Sequence, residues 1–453
     1  MPTPEIPLRP RQLLDRSASG NPLPEGTLAV GAGLVIQGLT AYVFFIVAAR
    51  ALGPEKYSSL SVLWTLVFFA APGFLFPLEQ EVSRGVSSRG AVGAGAGPVI
   101  RRAAVLGGGL VLGLAAITVL LARPILDHLF DGQVLLLVAL IISLPAYAAV
   151  HLTRGALSGR GRFTSYGTLL GGEGSLRVVA VVGLALMGVH STGAYGLLIA
   201  LPALAALAVV LGRERGLVEP GPPAAWSELS GALTWLLVGA VLAQGFVNAS
   251  VPLVKILAAE GEEAIAGQFQ AGLIITRVPL FLFQAVQASL LPKLAGLAAE
   301  GRSTDFRSGL RRLVLVVVVI GALATLGAFL VGPAVLRLAF GSGFDKLTNA
   351  DLGYLALASA AFMLAQALSQ ALIALSGHAK AALGWMSAIV VFVVATALGE
   401  GLLPRVELGL VTGSLAGVVA MALLLRSQME TGVPADAEPL LRGLSPDHEI
   451  IEP

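Results

Sequence analysis

Long apolar stretches separated by short polar ones run through nearly the whole chain. A membrane-spanning helix needs about 20 consecutive, mostly apolar residues. Twelve stretches qualify, at 27–49, 57–78, 103–122, 133–152, 167–188, 193–212, 231–254, 264–291, 311–336, 351–375, 380–399 and 406–425. The pattern predicts an all-α membrane protein with twelve transmembrane helices. The longest hydrophilic connection inside the bundle, "RERGLVEPGPPAAWSELS" at 213–230, follows the sixth stretch. It splits the chain into two six-helix lobes, 27–212 and 231–426, joined by a cytoplasmic linker at 213–230. A proline-rich leader at 1–26 and a polar tail at 427–453 flank them, and both are expected to be disordered and cytoplasmic. No apolar core directly follows the first charges of the leader, so it does not read as a signal peptide.

Composition agrees with the pattern. The chain is 56% hydrophobic and 12% charged, with a mean hydropathy of +0.85. Soluble domains carry about 25% charged residues. So few charges could not cover a water-facing surface, which leaves the bilayer as solvent. An even number of spans puts both termini on one side. With that side inward, twenty Lys and Arg residues fall in inner segments and seven in outer ones. The positive-inside rule then predicts a multi-pass plasma-membrane protein with cytoplasmic termini. No basic block suits nucleic acid, and cysteine is absent. Neither H-E-x-x-H nor a phosphate-binding G-x-x-x-x-G-K-[ST] occurs, so neither metal nor cofactor is expected.

The two halves carry traces of a duplication. "GALSGRGRF" (155–163) follows the fourth stretch and "IALSGHAKA" (373–381) the tenth, and Ala-Leu-Ser-Gly recurs 218 residues apart. Basic residues follow at the same offset, Arg162 and Lys380. "FLF" recurs at Phe74 and Phe281, near the ends of the second and eighth stretches. Halves with an even number of spans have the same orientation, so a pseudo-axis would run along the membrane normal. Two parallel, pseudo-symmetric lobes around a central cavity is a transporter architecture.

Polar groups inside a bilayer are costly and survive when paired or when facing water. Gln270, Arg277 and Gln284 are spaced by seven on the eighth stretch, which keeps them on one helical face. Pro279, two residues after Arg277, permits a bend. This face could form a cationic cavity wall able to hold a phosphate, or it could fix helix packing. Gln244, Asn248 and Lys255 share a face of the seventh stretch, with Pro252 between them; they either line a cavity, glue helices or, for Lys255, snorkel to the outer interface. Glu173 and Arg177 stand four apart in "LLGGEGSLRVVAVVGLAL" (169–186) and can neutralise each other. They read as a structural ion pair, as a coupling site for H+ or Na+, or as a second phosphate contact. Pro72, Gly73 and Pro77 predict a bent second helix, and Glu79, Glu81 and Arg84 after it read as a solvated cytoplasmic end.

"AARALGPEKYSSL" (48–60), between the first two stretches, resembles the A-R-x-L-G-P-x-x-Y-G signature of bacterial oligosaccharide flippases of the polysaccharide biosynthesis family (Wzx-like). Ala49, Arg50, Leu52, Gly53, Pro54 and Tyr57 fit it, and Ser58 replaces the usual glycine. "RGALSGRGRFTSYG" (154–167) and "LLPKLAGLAAEGR" (290–302) resemble two of that family's loops. The resemblance implies the multidrug/oligosaccharidyl-lipid/polysaccharide exporter superfamily. It implies two six-helix lobes, a cavity lined by spans 1, 2, 7 and 8, and alternating access. The implied cargo is a polyprenyl-diphosphate-linked oligosaccharide for cell-surface polysaccharide, with glycosyltransferases and a polysaccharide polymerase as pathway partners and membrane lipids as surroundings. Arg277, helped by Lys255, would then meet the diphosphate, and Gln244, Asn248, Gln270 and Gln284 the sugar hydroxyls. The alternative on the same fold is an antiporter for drugs or organic cations, whose cavity should be acidic and aromatic. An enzyme acting on lipid-linked sugars would need a large outer loop, and the outer loops here are short.

Overall fold

The computed structural model describes residues 26–226, 232–262, 264–280, 283, 296–297 and 302–431. Gln284, Phe281 and most of the leader and tail lie outside them. Fifteen α-helices follow in order among the described residues: α1 (Thr27–Ala70), α2 (Phe76–Ala91), α3 (Gly97–Leu120), α4 (Ala122–His128), α5 (Val134–Gly159), α6 (Phe163–Leu186), α7 (Thr192–Leu197), α8 (Leu201–Arg213), α9 (Ala232–Asn248), α10 (Ser250–Leu257), α11 (Ile265–Thr276), α12 (Ser303–Phe340), α13 (Asn349–Ala374), α14 (His378–Leu398) and α15 (Leu402–Thr431). A π-helical turn, Ala71–Leu75, joins α1 to α2.

α1 is two spans. Gly53 interrupts it with φ 73° and ψ 166°, just ahead of Pro54. The Phe45 and Trp64 rings lie 4.5 Å apart. A straight helix rising 1.5 Å per residue would separate those positions by about 28 Å. The chain therefore folds back at Gly53–Pro54, where the glycine takes a left-handed φ that a side chain would disfavour and the proline starts the next helix. α7 and α8 make one span, and α9 and α10 make another with a 46° bend between them. With α11 opening the 264–291 stretch, the order of spans is the expected twelve.

The breaks fall where prolines remove amide donors. Pro72 lies within the π-helical turn and Pro77 in the first turn of α2 that follows it. Pro252 leaves the carbonyl of Asn248 without its usual partner, and the α9–α10 bend lies there. α11 ends one residue before Arg277 and three before Pro279.

The helices of each half pack mainly on one another. Small residues allow close approach, as bilayer packing requires in the absence of a hydrophobic drive between helices. A Cβ on Gly155 or Gly159 of α5 would stand 2.8 Å or 2.7 Å from Val82 or Val86 of α2. Large apolar side chains such as Leu112, Leu120, Leu323 and Leu330 remain exposed on α3 and α12, as hydrocarbon surroundings permit. The repeated Ala-Leu-Ser-Gly lies near the end of the fourth span of each half. Both ends close with a bond across five residues, Arg162 N to Leu157 O and Gly377 N to Leu372 O, but α5 runs about one turn further through the motif.

The linker is not a free tether over its described length. Arg89 donates to the carbonyls of Gly95, Pro222 and Pro223, and Gly97 N bonds Glu219 O. Arg102 stacks over Trp226, and Arg160 pairs with Glu219. Glu214 accepts from Ser165 and Arg162, and these two donors hold its carboxyl below the usual carboxylate range. The linker thus lies along the first half.

Candidate functional site

The halves meet along α1, α9, α10 and α11 and the π-helical turn. Near mid-span, Gly73 in that turn faces α9, where an added Cβ would stand 3.6 Å from the Gln244 side chain and from the Val241 backbone. Asn248 Nδ2 donates at 3.0 Å to both the carbonyl and the side-chain oxygen of Gln244. The polar pair on α9 is thereby partly satisfied within its own helix, at the break.

Arg277 sits at the break after α11. Its Nη2 donates to Val247 O of α9 at 2.7 Å. That carbonyl lies one residue before the Pro252-freed one, so the guanidinium covers a backbone acceptor at the α9 bend. Tyr42 of α1 lies within electrostatic range, which puts Arg277 beside the first half. Among the described residues no carboxylate pairs with it. The guanidinium borders a small cavity whose other walls include Phe246, Phe362, Leu410 and Ser414. This cavity lies within the second half and has room for about one water. Gln270 shares the α11 face but is buried, and its Oε1 has no hydrogen-bond partner. A buried, unsatisfied amide oxygen costs about 1–3 kcal/mol and stays ready for a donor. Gln284 lies outside the described residues.

Lys255 does not reach lipid. Its Nζ stands 2.9 Å from Asp131 Oδ1 and 3.0 Å from Oδ2, across the boundary between halves. Ser59 also donates to Asp131. This is the end of the bundle away from the linker, and it is shut. Arg50 donates to Ala339 O at 2.8 Å and to Leu338 O at 2.5 Å, capping the carbonyl end of α12. Tyr57 packs on Phe340 and Phe344, with ring centroids 6.4 and 5.9 Å away. A Cβ on Gly267 of α11 would come within 3.0 Å of Ser58 N. The motif residues Arg50, Gly53, Pro54 and Tyr57 thus have a shared physical task, making the reversal and the seal between halves.

Glu173 and Arg177 form their pair inside the first half, each side chain 1% exposed. Tyr147 donates to Glu173 at 2.9 Å and Gln37 at 3.3 Å. Arg177 also reaches Tyr147 at 3.2 Å and lies over the Trp64 ring. Beside it is a second buried set that the hydropathy pattern missed. Glu79 meets His151 Nδ1 at 2.6 Å, Tyr166 Oη at 2.8 Å and Arg154 Nη2 at 3.3 Å. Glu79 and Glu81 are buried, so the reading of this end as solvated is corrected. Packing of α2 against α5 and α6 covers them, with Arg154, His151 and Arg84 supplying partners. The burial of Glu79 carried no signal in the sequence, because its partners His151 and Tyr166 lie 72 and 87 residues away.

No family model matches the chain. It is 29% identical over 420 residues to "Uncharacterized protein Rv3630" of Mycobacterium tuberculosis, covering 88% of this chain and 92% of that one. It is 27% identical over 426 residues to "Uncharacterized protein Rv1510" of the same species, covering 90% and 94%. Among solved structures it is similar to an inward-facing multidrug resistance MATE family transporter of the MOP superfamily, with TM-score 0.70, 15% identity and 87% and 95% coverage. An outward-facing MATE transporter of that superfamily gives TM-score 0.60 at 14% identity, with 89% and 94% coverage. A Vibrio cholerae MATE transporter gives 0.65 at 16%, with 90% and 96% coverage. The fold is that of the MATE transporters: twelve spans in two six-helix lobes.

Proposed function

We propose that the chain is an alternating-access transporter of the plasma membrane with cytoplasmic termini, and that its cargo is an anionic amphiphile, a polyprenyl-diphosphate-linked oligosaccharide moved from the inner to the outer leaflet. Arg277 carries the reading. It is a cation at the boundary between the halves, held by a backbone carbonyl and no described carboxylate. Moving a diphosphate through hydrocarbon without such a partner is prohibitive. Gln244, Asn248 and Gln270 on the same two spans offer amides to sugar hydroxyls. The shut end would be the outer one, which fits the higher TM-score with the inward-facing neighbour.

A second reading has its own support. The solved neighbours are described as multidrug transporters, which favours efflux of drugs or organic cations at least as well. The sign of charge at the boundary opposes it, because a cation would meet Arg277 unshielded. Deletion followed by assay of outer-leaflet lipid-linked oligosaccharide separates the two. The flippase reading expects the lipid to accumulate on the inner leaflet, with Arg277→Ala failing to complement at normal protein level and Arg277→Lys complementing in part. Normal delivery in the deletant, with drug sensitivity in its place, would establish the antiporter. Full complementation by Arg277→Ala would remove Arg277 from the mechanism.

A further inference from the structure

We infer that Asp131 and Lys255 are a releasable latch that holds the linker-distal end of the two halves shut; the inference rests on the alternating-access reading above. Two buried-looking ion pairs in this chain differ in kind. Glu173 and Arg177 lie on one helix and are both 1% exposed, so neither can be hydrated without unfolding. Lys255 is 3% exposed, but its partner Asp131 is 42% exposed and belongs to the other half. Water already reaches one side of that pair. When the halves part, both charges pass into water rather than into hydrocarbon. The pair is thus strong enough to hold and cheap enough to break.

The backbone on each side suits the task. Asp131 has φ 49°, a left-handed conformation in a non-glycine residue. It is held there by its neighbours: Phe130 is fully buried, Gln133 N bonds Phe130 O, and Gly132 N bonds Leu126 O. The carboxylate is therefore presented by a preset loop, with the Ser59 hydroxyl as a second donor. Lys255 lies on α10, beyond the 46° bend that follows Asn248. A helix segment past a proline-induced break can swing while α9 stays packed. The other contacts described at this end, Arg50 on backbone carbonyls, Tyr57 on Phe340 and Phe344, and Gly267 against the backbone of Pro54 and Ser58, contain no carboxylate, so parting them leaves no further unpaired anion.

The chain has no cysteine, so it accepts paired spin labels directly. Asp127 and Glu260 are exposed near the latch, one in each half. The variant carrying Asp127→Cys and Glu260→Cys, labelled and reconstituted full-length in lipid nanodiscs, reports the separation by pulsed electron paramagnetic resonance. The parent is expected to give mainly a short distance. Asp131→Asn keeps a residue that tolerates the left-handed backbone, and Lys255→Met keeps length without charge. Each should raise the long-distance population relative to the short one on the order of tenfold. Lys255→Arg should retain the short distance. Unchanged distributions in both single variants overturn the latch. So does failure of both to yield monodisperse protein, which would make the pair a requirement of folding. The readout needs no cargo, so the Arg277 complementation result decides the transport reading separately.

Discussion

Removing one member of the Glu173–Arg177 pair should be far more harmful than removing both. Each side chain is 1% exposed, so the survivor of a single substitution remains in the protein interior. At an effective dielectric of about 20, two unit charges in contact attract by about 4 kcal/mol. Arg177→Met leaves Glu173 with only the neutral donors Tyr147 and Gln37. Glu173→Gln leaves Arg177 with Tyr147, the Leu198 carbonyl at 3.4 Å and the Trp64 face 5.5 Å away. Breaking a buried pair in this way typically costs about 3–5 kcal/mol. The cation–π contact, worth about 0.5–2 kcal/mol, should make Glu173→Gln the milder of the two. The double variant buries no net charge and should lose about 1 kcal/mol, so the coupling energy of the cycle is about 5 kcal/mol or more. Unfolding of purified protein, followed by tryptophan fluorescence, measures it, since Trp64 sits under the guanidinium. If the double variant loses as much as the two single ones combined, the pair is not what neutralises these charges.

Glu79→Gln should also destabilise the first half, by about 2–4 kcal/mol, because His151, Arg154 and Tyr166 converge on that carboxylate; thermal unfolding checks it, and a change under 0.5 kcal/mol would mean that water replaces the carboxylate. At the linker, Ser165 and Arg162 hold the Glu214 carboxyl below its unfolded-state value. Its stabilising contribution is therefore fully present above the usual carboxylate range and is lost as pH falls through the lowered native value. The melting temperatures of wild type and Glu214→Gln should differ at pH 7 and converge in acid; a constant difference would contradict the assignment.

Several features were legible in the residue order. The apolar stretches marked the spans, and Gly53-Pro54, Pro72 and Pro77 marked a reversal and a break, because these depend on backbone chemistry within a few residues; the bend at Pro252 was not read from the sequence. Glu173 and Arg177 were legible as partners because helical spacing alone brings them together. Gln270 and Arg277 share a helical face as their spacing requires. Their different surroundings, an unsatisfied buried amide against a guanidinium on the Val247 carbonyl, could not be read from it. Lys255 could be placed near a membrane surface, but its partner Asp131 lies 124 residues earlier. Arg50 finds its carbonyl acceptors 288 and 289 residues later. Hydropathy records the cost of moving each segment from water to hydrocarbon, a local quantity. Which polar group then meets which is settled by how preformed helices stack, and small residues such as Gly155 and Gly267 set that stacking by letting backbones touch.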